Sequence, residues 1–493
     1  MRSGWCRMRS TGERLSALAD LIGASVEGQG DPRVRDATHD SRQVAQGSLF
    51  VAVKGFASDG HRFIDQAVAN GAVAAVVTEP VETEIPVLRV ADARAVMGPL
   101  AAAIHGHPSR EIGVVGVTGT NGKTTVTHIL EHILRLAGRR VGLIGTIHTR
   151  IGDEEIPALH TTPEATDFQR LLRHMVDRGA EAVAVEVSSH ALALGRVDAT
   201  WFEAVAFTNL SQDHLDFHPD MESYFAAKAS LFEAERAARG VIWVDDPWGR
   251  RLARQAAIPL TTVGTAADVR VTVLQGDLAG TTIELDLGSG PRRVLVPMVG
   301  AFNAENAAMA AVLAALLDVP EPTIATALRS MPGVAGRFQR VSEEDPISVF
   351  VDFAHTPDGI TEVIATLRPL VTGRIIAVVG AGGDRDRDKR PLMGAAAAAA
   401  DLVVVTSDNP RSEDPDAIID DVMRGMGPDA TAIRLTGRRE AIAAAVASAE
   451  DGDAIVILGK GHERGQEIDG FKHPFDDRVE ARAALAARRG GES

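Results

Sequence analysis

Cysteine is almost absent from this chain of 493 residues: Cys6 stands alone. No disulfide can close within the chain, and a reducing compartment suits it. No run of lysine or arginine offsets a net charge of −16, which excludes a nucleic-acid surface and leaves anionic ligands to local arginines. No apolar run reaches the roughly 18 residues of a membrane span. The first ten residues, MRSGWCRMRS, carry basic side chains with no apolar core after them, unlike a secretion signal. These absences describe a cytoplasmic protein with no nucleic-acid and no membrane partner, expected to act as a monomer.

What is present is ordinary for a loop-rich α/β enzyme: 45% hydrophobic residues, 24% charged residues and 47 glycines. The length predicts about three domains, which we place at residues 1–109, 110–336 and 337–493. The densest signal is the stretch from Ile112 to Arg140. Ile112, Val114, Val115 and Val117 form a β-branched run, and Val126, Ile129, Leu130, Ile133 and Leu134 recur at helical spacing. Between them lies Gly119-Thr120-Asn121-Gly122-Lys123-Thr124-Thr125. Glycines there let backbone N–H groups turn toward an anion at a helix N-terminus. Lys123 supplies charge and Thr124 a hydroxyl for Mg²⁺. Val117 stands where the strict phosphate-loop pattern has its first glycine.

In the first unit, strands are predicted at Ser48–Val53 and Val73–Val77 around a helix from His61 to Asn70. Asp40-Ser41-Arg42 precedes them, a turn that can also offer a hydroxyl and a guanidinium to a diphosphate. In the second unit, His160-Thr161-Thr162-Pro163 opens a helix with an anion site in reach. The buried strand Ala182–Val187 ends in Glu186-Val187-Ser188-Ser189-His190, and a carboxylate at a strand's carboxyl end, beside a phosphate loop, is a Mg²⁺ ligand candidate. The polar run Asn209 to His218 follows another strand. Its two histidines and two aspartates lack the fourth soft ligand of a zinc site, so a histidine near Mg²⁺ or phosphate is the better reading. Lys228 lies in the helical run Tyr224–Phe232 among apolar residues, where a lysine must be paired or neutralised. Asn303 and Asn306 open an Ala-rich helix, as caps or as contacts to a base or ribose.

The third unit alternates strands at Ser348–Phe353, Arg374–Gly380, Leu402–Thr406 and Ala454–Leu458 with helices, a parallel sheet of dinucleotide-binding type. Each strand ends in a polar cluster: Asp352 to Pro357, Gly382-Gly383-Asp384-Arg385, Ser407-Asp408-Asn409-Pro410-Arg411 and Gly459-Lys460-Gly461-His462-Glu463. Four such clusters in register mark a binding edge. The charged run Asp384 to Arg390 reads as a solvated loop or, given the two glycines before it, as backbone that must come close to something.

In this order, GTNGKTT, HTTP, EVSSHAL, TNLSQDHLD, the Lys228 helix, FNAEN, GRFQ, DFAHTP and GKGHE resemble the Mur ligase family across almost the whole chain. The DNPR motif at 408–411 and Asp40-Ser41-Arg42 resemble the branch that adds meso-diaminopimelate to UDP-N-acetylmuramoyl-L-alanyl-D-glutamate. The resemblance implies an α/β fold of three domains: an N-terminal one for the UDP group, a central phosphate-loop ATPase-like parallel sheet, and a C-terminal Rossmann-like domain for the amino acid. It implies ATP on Gly119 to Thr125 with Asn306, Arg337 and Asp352. UDP-substrate contacts fall on Ser41, Thr161, Thr162, Ser188 and Arg196. Amino-acid contacts fall on Arg385, Asp408, Asn409, Pro410, Arg411, Gly459 and Glu463. Thr124, Glu186, His214 and a carbamylated Lys228 match the metal ligands, and Lys123, Lys228 and His214 the catalytic set. Leu194 stands where a substrate-holding glutamine is expected, and Phe353 replaces a tyrosine.

The chemistry agrees. A carboxylate is not amidated in water without activation, so ATP phosphorylates the D-glutamyl carboxylate and an amine displaces the phosphate. The work is positioning and electrostatics. Arg411 is expected to select diaminopimelate over L-lysine by gripping its second carboxylate, and to be left unpaired by lysine. The rival readings are the same ligation with L-lysine, and a nucleotide-switched binding protein, which has no need of Glu186, His214 and Lys228 together.

Overall fold

The structure, a computed structural model, describes residues 12–55, 58–158, 160–342 and 345–491. Cys6 and the basic first stretch lie outside the described residues. Three sheets carry the chain. The first joins Asp36–Thr38, Ser48–Val51, Ala72–Val77 and Val87–Arg89 in parallel, with Ser25–Glu27 antiparallel at one edge. The helix expected over His61–Asn70 divides into a 3₁₀ turn, Gly60–Phe63, and an α-helix, Ile64–Ala69. Asp59 caps the turn by accepting from the His61 N–H.

The central sheet has eleven strands among the described residues. At its middle lies β1 (Gly113–Thr118), which feeds α1 (Lys123–Leu136). Beside β1 run β2 (Ala182–Glu186) and β3 (Ala204–Phe207), both parallel to it. The strand alternation works on two covered faces. Val115 and Val117 pack with α1 on one side, while Val114 joins Val183 and Val185 on the other. Val117 is therefore a core strand residue, fully buried and paired with Glu186 in register. A glycine there would weaken the strand, and the loop begins two residues later. α2 (Met221–Ala229) carries Lys228, and α3 (Ala301–Leu316) packs along α1.

The third sheet orders β4 (Ser348–Asp352), β5 (Ile375–Val379), β6 (Leu402–Val405) and β7 (Ala454–Leu458) as β4-β7-β5-β6, all parallel. Three of these strands stop a residue short of their expected ends, because the next residues curl back into the site loops. Asp352, for example, accepts from the Phe338 and Ala354 N–H groups. Sequence reading missed Gly240–Trp243, Ala432–Arg434 and two hairpins, His148–Pro157 and Gly465–Pro474. The second hairpin is short and polar, with Phe471 exposed, and carries no apolar alternation to find.

Ion pairs join the first unit to the second. Arg94 meets Glu164 at 2.9 Å, and Arg170 reaches Asp36 at 3.1 Å. The last helix, Asp477–Gly491, is pinned by Arg438, whose guanidinium grips Asp477 through two bonds of 2.8 and 2.7 Å, both side chains fully buried. Removing one member of such a pair strands the other in the core. Asp477→Ala should therefore lower urea-unfolding stability by roughly 3–5 kcal/mol. A loss below about 1 kcal/mol, the range of an exposed pair, would show that the helix is held by its apolar face alone.

Candidate active site

The register of β1 against β2 sets the chemistry, because it puts Glu186 beside the start of the loop. Gly119 has φ 146° and Gly122 φ 86°, and a Cβ at either would strike Thr208 or Asn306. α1 starts without a side-chain cap, so its first N–H groups stay available to an anion. Lys123 Nζ donates to the Gly119 and Thr120 carbonyls at 2.9 and 2.8 Å, folded over the loop a phosphate would occupy. The loop is braced from β3. The Asn121 N–H donates to Asn209 Oδ1, Thr208 Oγ1 donates to the Asn121 carbonyl, and Thr120 Oγ1 shares a proton with the Tyr224 hydroxyl. None of Thr208, Asn209 and Tyr224 stood out in the sequence as a brace.

Glu186 is fully buried and accepts from Thr124 Oγ1 at 2.8 Å and from the Thr146 N–H and hydroxyl at 2.8 and 2.9 Å. Arg337, from the start of the third unit, donates to the same Thr124 hydroxyl at 2.8 Å. Its guanidinium lies 4.4 Å from the Phe353 ring centroid. The ring face does that work, so the missing tyrosine hydroxyl takes no part in it. Burial raises the Asp352 carboxyl above the usual range, with Arg337 opposing.

Lys228 is buried, and its Nζ donates to Gly119 O at 2.7 Å from beneath the loop, 4.5 Å from the Tyr224 ring centroid. Burial, then the charge of Lys123, push its pKa well below that of a free lysine. Loss of water also pulls His214 down to about 3 against the pull of Asp213, so its ring is neutral. Asp213 itself stands out only in the structure. Burial works to raise it, yet the pull of the neighbouring His214 and His355 rings when protonated, the Lys389 ammonium and the His214 backbone N–H outweigh that and hold it below the usual carboxylate range. Lys389 Nζ is 3.7 Å away and His355 Nε2 4.0 Å, both from the third unit.

A cavity of about 590 Å³ opens between the second and third units. The second unit contributes Thr120 to Thr125, Thr146, Thr161, Glu186, Ser188, His214 and Asn306 to its walls, and the third unit adds Arg337 and Asp352. Arg385, Asp408, Asn409, Arg411, Gly459 and Glu463 also line it. Asn306 is no cap: the helix begins at Ala301 with Gly300 as its N-cap, and Asn306 Oδ1 occupies the space a Gly122 Cβ would need. Asn303 instead donates to the Val299 carbonyl.

Other expected site residues stand back from this cavity. Ser41 is buried in the first unit and donates to Gln66 Oε1, in a 3₁₀ turn capped by Asp40. Thr162 donates to the Glu186 carbonyl, and Pro163 precedes the helix, which starts at Ala165 with Glu164 as its cap. Arg196 is held by Glu164 at 2.8 Å and by the Thr162 carbonyl. Pro410 lines nothing but backs Gly383 so closely that a Cβ there would meet the Pro410 carbonyl. The glycines thus approach the Pro410 backbone, while of the charged run after them Asp384, Arg385, Arg387 and Asp388 are exposed and Arg390 is buried. Arg387 meets Glu413 at 2.9 Å, and the buried Arg390 meets Glu413 and Asp421. Arg411 is already engaged too, with the Gly383 carbonyl and with Glu467 at 3.4 Å. The expectation that lysine leaves it unpaired is thereby corrected.

Three family models match in sequence order: "Mur ligase family, catalytic domain" at residues 34–108, "Mur ligase middle domain" at 117–314, and "Mur ligase, glutamate ligase domain" at 336–461. The chain is similar to the UDP-N-acetylmuramoyl-L-alanyl-D-glutamate--2,6-diaminopimelate ligase of Streptomyces coelicolor, 45% identical over 98% of each chain. A solved structure of a ligase of that name matches with a TM-score of 0.68 at 32% identity, covering 96% of this chain and 99% of the other. The MurF ligase from Thermotoga maritima in complex with ADP shares the fold, with a TM-score of 0.66 at 19% identity over 93% of this chain and 99% of that one.

Lys123 tests the loop. Its ammonium lines the cavity, half-buried, with its pKa lowered by loss of water, and among the described residues its only bonds are to the carbonyls of Gly119 and Thr120 in its own loop. Lys123→Ala should leave the unfolding midpoint unchanged and weaken a fluorescent ATP analogue by about tenfold or more. Unchanged nucleotide affinity would remove the loop from phosphate binding.

Proposed function

The chain belongs to the Mur ligase family, and on that premise we propose that it is the ATP-dependent ligase joining meso-diaminopimelate to the D-glutamyl carboxylate of UDP-N-acetylmuramoyl-L-alanyl-D-glutamate. The setting is cytoplasmic peptidoglycan precursor synthesis. Residues 1–109 take the UDP group, with Ser41 at its diphosphate; 110–336 hold the nucleotide and the acceptor carboxylate; 337–493 bring the amino acid. The observation that carries the reading is a single cavity with a phosphate loop on one wall and, on the other, Asp408 and Glu463 set beside Arg385 and Arg411. Those four side chains complement a zwitterion, the carboxylates facing an ammonium and the guanidiniums a carboxylate.

Lys123 and the N–H groups of the loop grip the terminal phosphoryl group, and Arg337 approaches the same loop from the third unit. The substrate carboxylate attacks that phosphorus, giving an acyl phosphate and ADP; the amine then adds to the acyl carbon and phosphate leaves. Thr161, Thr162, Ser188 and Arg196 orient the acceptor peptide, with Glu164 steadying Arg196. The donors at hand fit Mg²⁺: the Glu186 carboxylate, the Thr124 hydroxyl and the neutral His214 ring. Lys228 fits as well, since a buried neutral amine can take up CO₂ as a carbamate, turning a repelling cation into oxygen ligands. Bound Mg²⁺ supplies charge that offsets the repulsion between phosphate and carboxylate.

Lys228→Ala should abolish ADP release, unmoved by excess bicarbonate and partly restored by a short-chain carboxylic acid that replaces the carbamate oxygens. Full activity without added acid would remove the carbamate from the mechanism.

The amino acid is tested directly by ADP release in the presence of the UDP-linked dipeptide and one amino acid at a time. Release should require both, and be faster with meso-diaminopimelate than with L-lysine. Arg411→Ala should narrow that preference by about 2 kcal/mol, or thirtyfold, the low end for a charge pair because Glu467 and Gly383 already occupy the guanidinium. Faster wild-type turnover with L-lysine would reassign the substrate and keep the ligase, whereas ADP release needing neither substrate would support a nucleotide-switched binder.

A further inference from the structure

Lys460 has no part in the chemistry above, yet it is fully buried under the amino-acid edge of the cavity. Its Nζ donates to Asn409 Oδ1 at 2.8 Å and to Glu463 Oε2 at 3.0 Å, and lies 3.7 Å from Asp408 Oδ1. Asn409 Nδ2 closes the ring by donating to the same Glu463 Oε2 at 2.9 Å. The Glu467 N–H donates to Asn409 Oδ1 at 3.0 Å. The ammonium thus ties the loop after β6 to the loop after β7, and Asn409 carries the link on to the hairpin that follows.

Burying a lysine costs several kcal/mol unless its protons all find acceptors, and an apolar side chain would fill the same space more cheaply. Lys460 donates to two acceptors and pairs with a third group, Asp408, at 3.7 Å, each on a residue that lines the cavity. Beside it the buried Arg438 pairs with Asp477 and stands 3.9 Å from Asp408 Oδ2. The two buried cations thus stand against Asp408 and Glu463 of the cavity wall and against Asp477 of the last helix. Glu463 is one-third exposed at its side chain, and no described residue bonds its Oε1. A carboxylate with one oxygen tied down from below and the other open is fixed in rotamer.

We propose that Lys460 is a positioning residue for substrate selection: by holding Glu463 Oε2 and Asn409, it presents Glu463 Oε1 to the ammonium at the far end of a diamino acid. The inference rests on the reading of this edge as the amino-acid site. It also sets the approach of Arg411, two residues beyond Asn409 and held in a left-handed conformation at φ 53°.

The test compares Lys460→Met and Lys460→Gln with wild type by steady-state ADP release, varying each substrate in turn. Both variants should raise KM for meso-diaminopimelate by about tenfold or more. KM for ATP and for the UDP-linked dipeptide should stay within about twofold, as for sites without shared partners, and kcat at saturating amino acid should be largely kept. A variant with unchanged KM for the amino acid, or one in which all three KM values rise together, would overturn the inference. So would failure of both variants to fold at the assay temperature, which would make Lys460 a stability element. Wild type that turns over without meso-diaminopimelate would sink the amino-acid reading itself, and that arm is read before any variant.

Discussion

Two lysines share one peptide oxygen. Lys123 and Lys228 both donate to the Gly119 carbonyl, at 2.9 and 2.7 Å. Two unit charges roughly 5 Å apart repel by about 3 kcal/mol at an effective dielectric of ~20, and burial adds to the penalty. On the ligase reading proposed above, Lys123 stays a cation facing phosphate and Lys228, its pKa lowered by burial and by the charge of Lys123, is the group that gives up its proton. We propose that the freed amine then adds to CO₂, giving a carboxylate-like ligand where a cation would be repelled.

Everything around that oxygen holds it in place. Glycine at 119 keeps the carbonyl in a conformation other residues rarely adopt, β3 braces the loop through Thr208 and Asn209, and Tyr224 shields the amine. Across the cleft, Arg337 on Thr124 and Lys389 near Asp213 bring third-unit cations to second-unit acceptors. The space between the two walls is thus lined by positive groups from both units, Lys123 from the second and Arg337 and Lys389 from the third. The opposite edge of the cavity carries both signs: Asp408 and Glu463, each near the buried Lys460, with Arg385 and Arg411 also in the lining.

Much of this was legible in the sequence wherever function and local structure coincide. The β1–loop–α1 unit was found because glycine, lysine and threonine requirements sit between two clean periodicities. Glu186 was found because strand ends are where such folds put ligands. What escaped depends on long-range pairing. The contacts of Asp213 with His355 and Lys389, or of Lys460 with Asn409, join residues far apart in the chain, and no local pattern announces them. Asn306 was ambiguous for a different reason, since a cap and a ligand contact look alike until the helix start is fixed at Ala301. Arg411 was read as a waiting cation, whereas its partners Gly383 and Glu467 belong to a glycine turn and a polar hairpin with no strong signal of their own. Phe353 looked like a lost hydroxyl and is a cation platform.

The account stands on the protonation and chemical state of Lys228, which ¹³C NMR of the enzyme equilibrated with ¹³C-bicarbonate reads without any turnover. One carbamate carbon signal should appear, strengthen with Mg²⁺ and nucleotide, and vanish in Lys228→Met. Absence of that signal in active, Mg²⁺-bound enzyme, with Lys228 titrating as an ordinary ammonium, would contradict it.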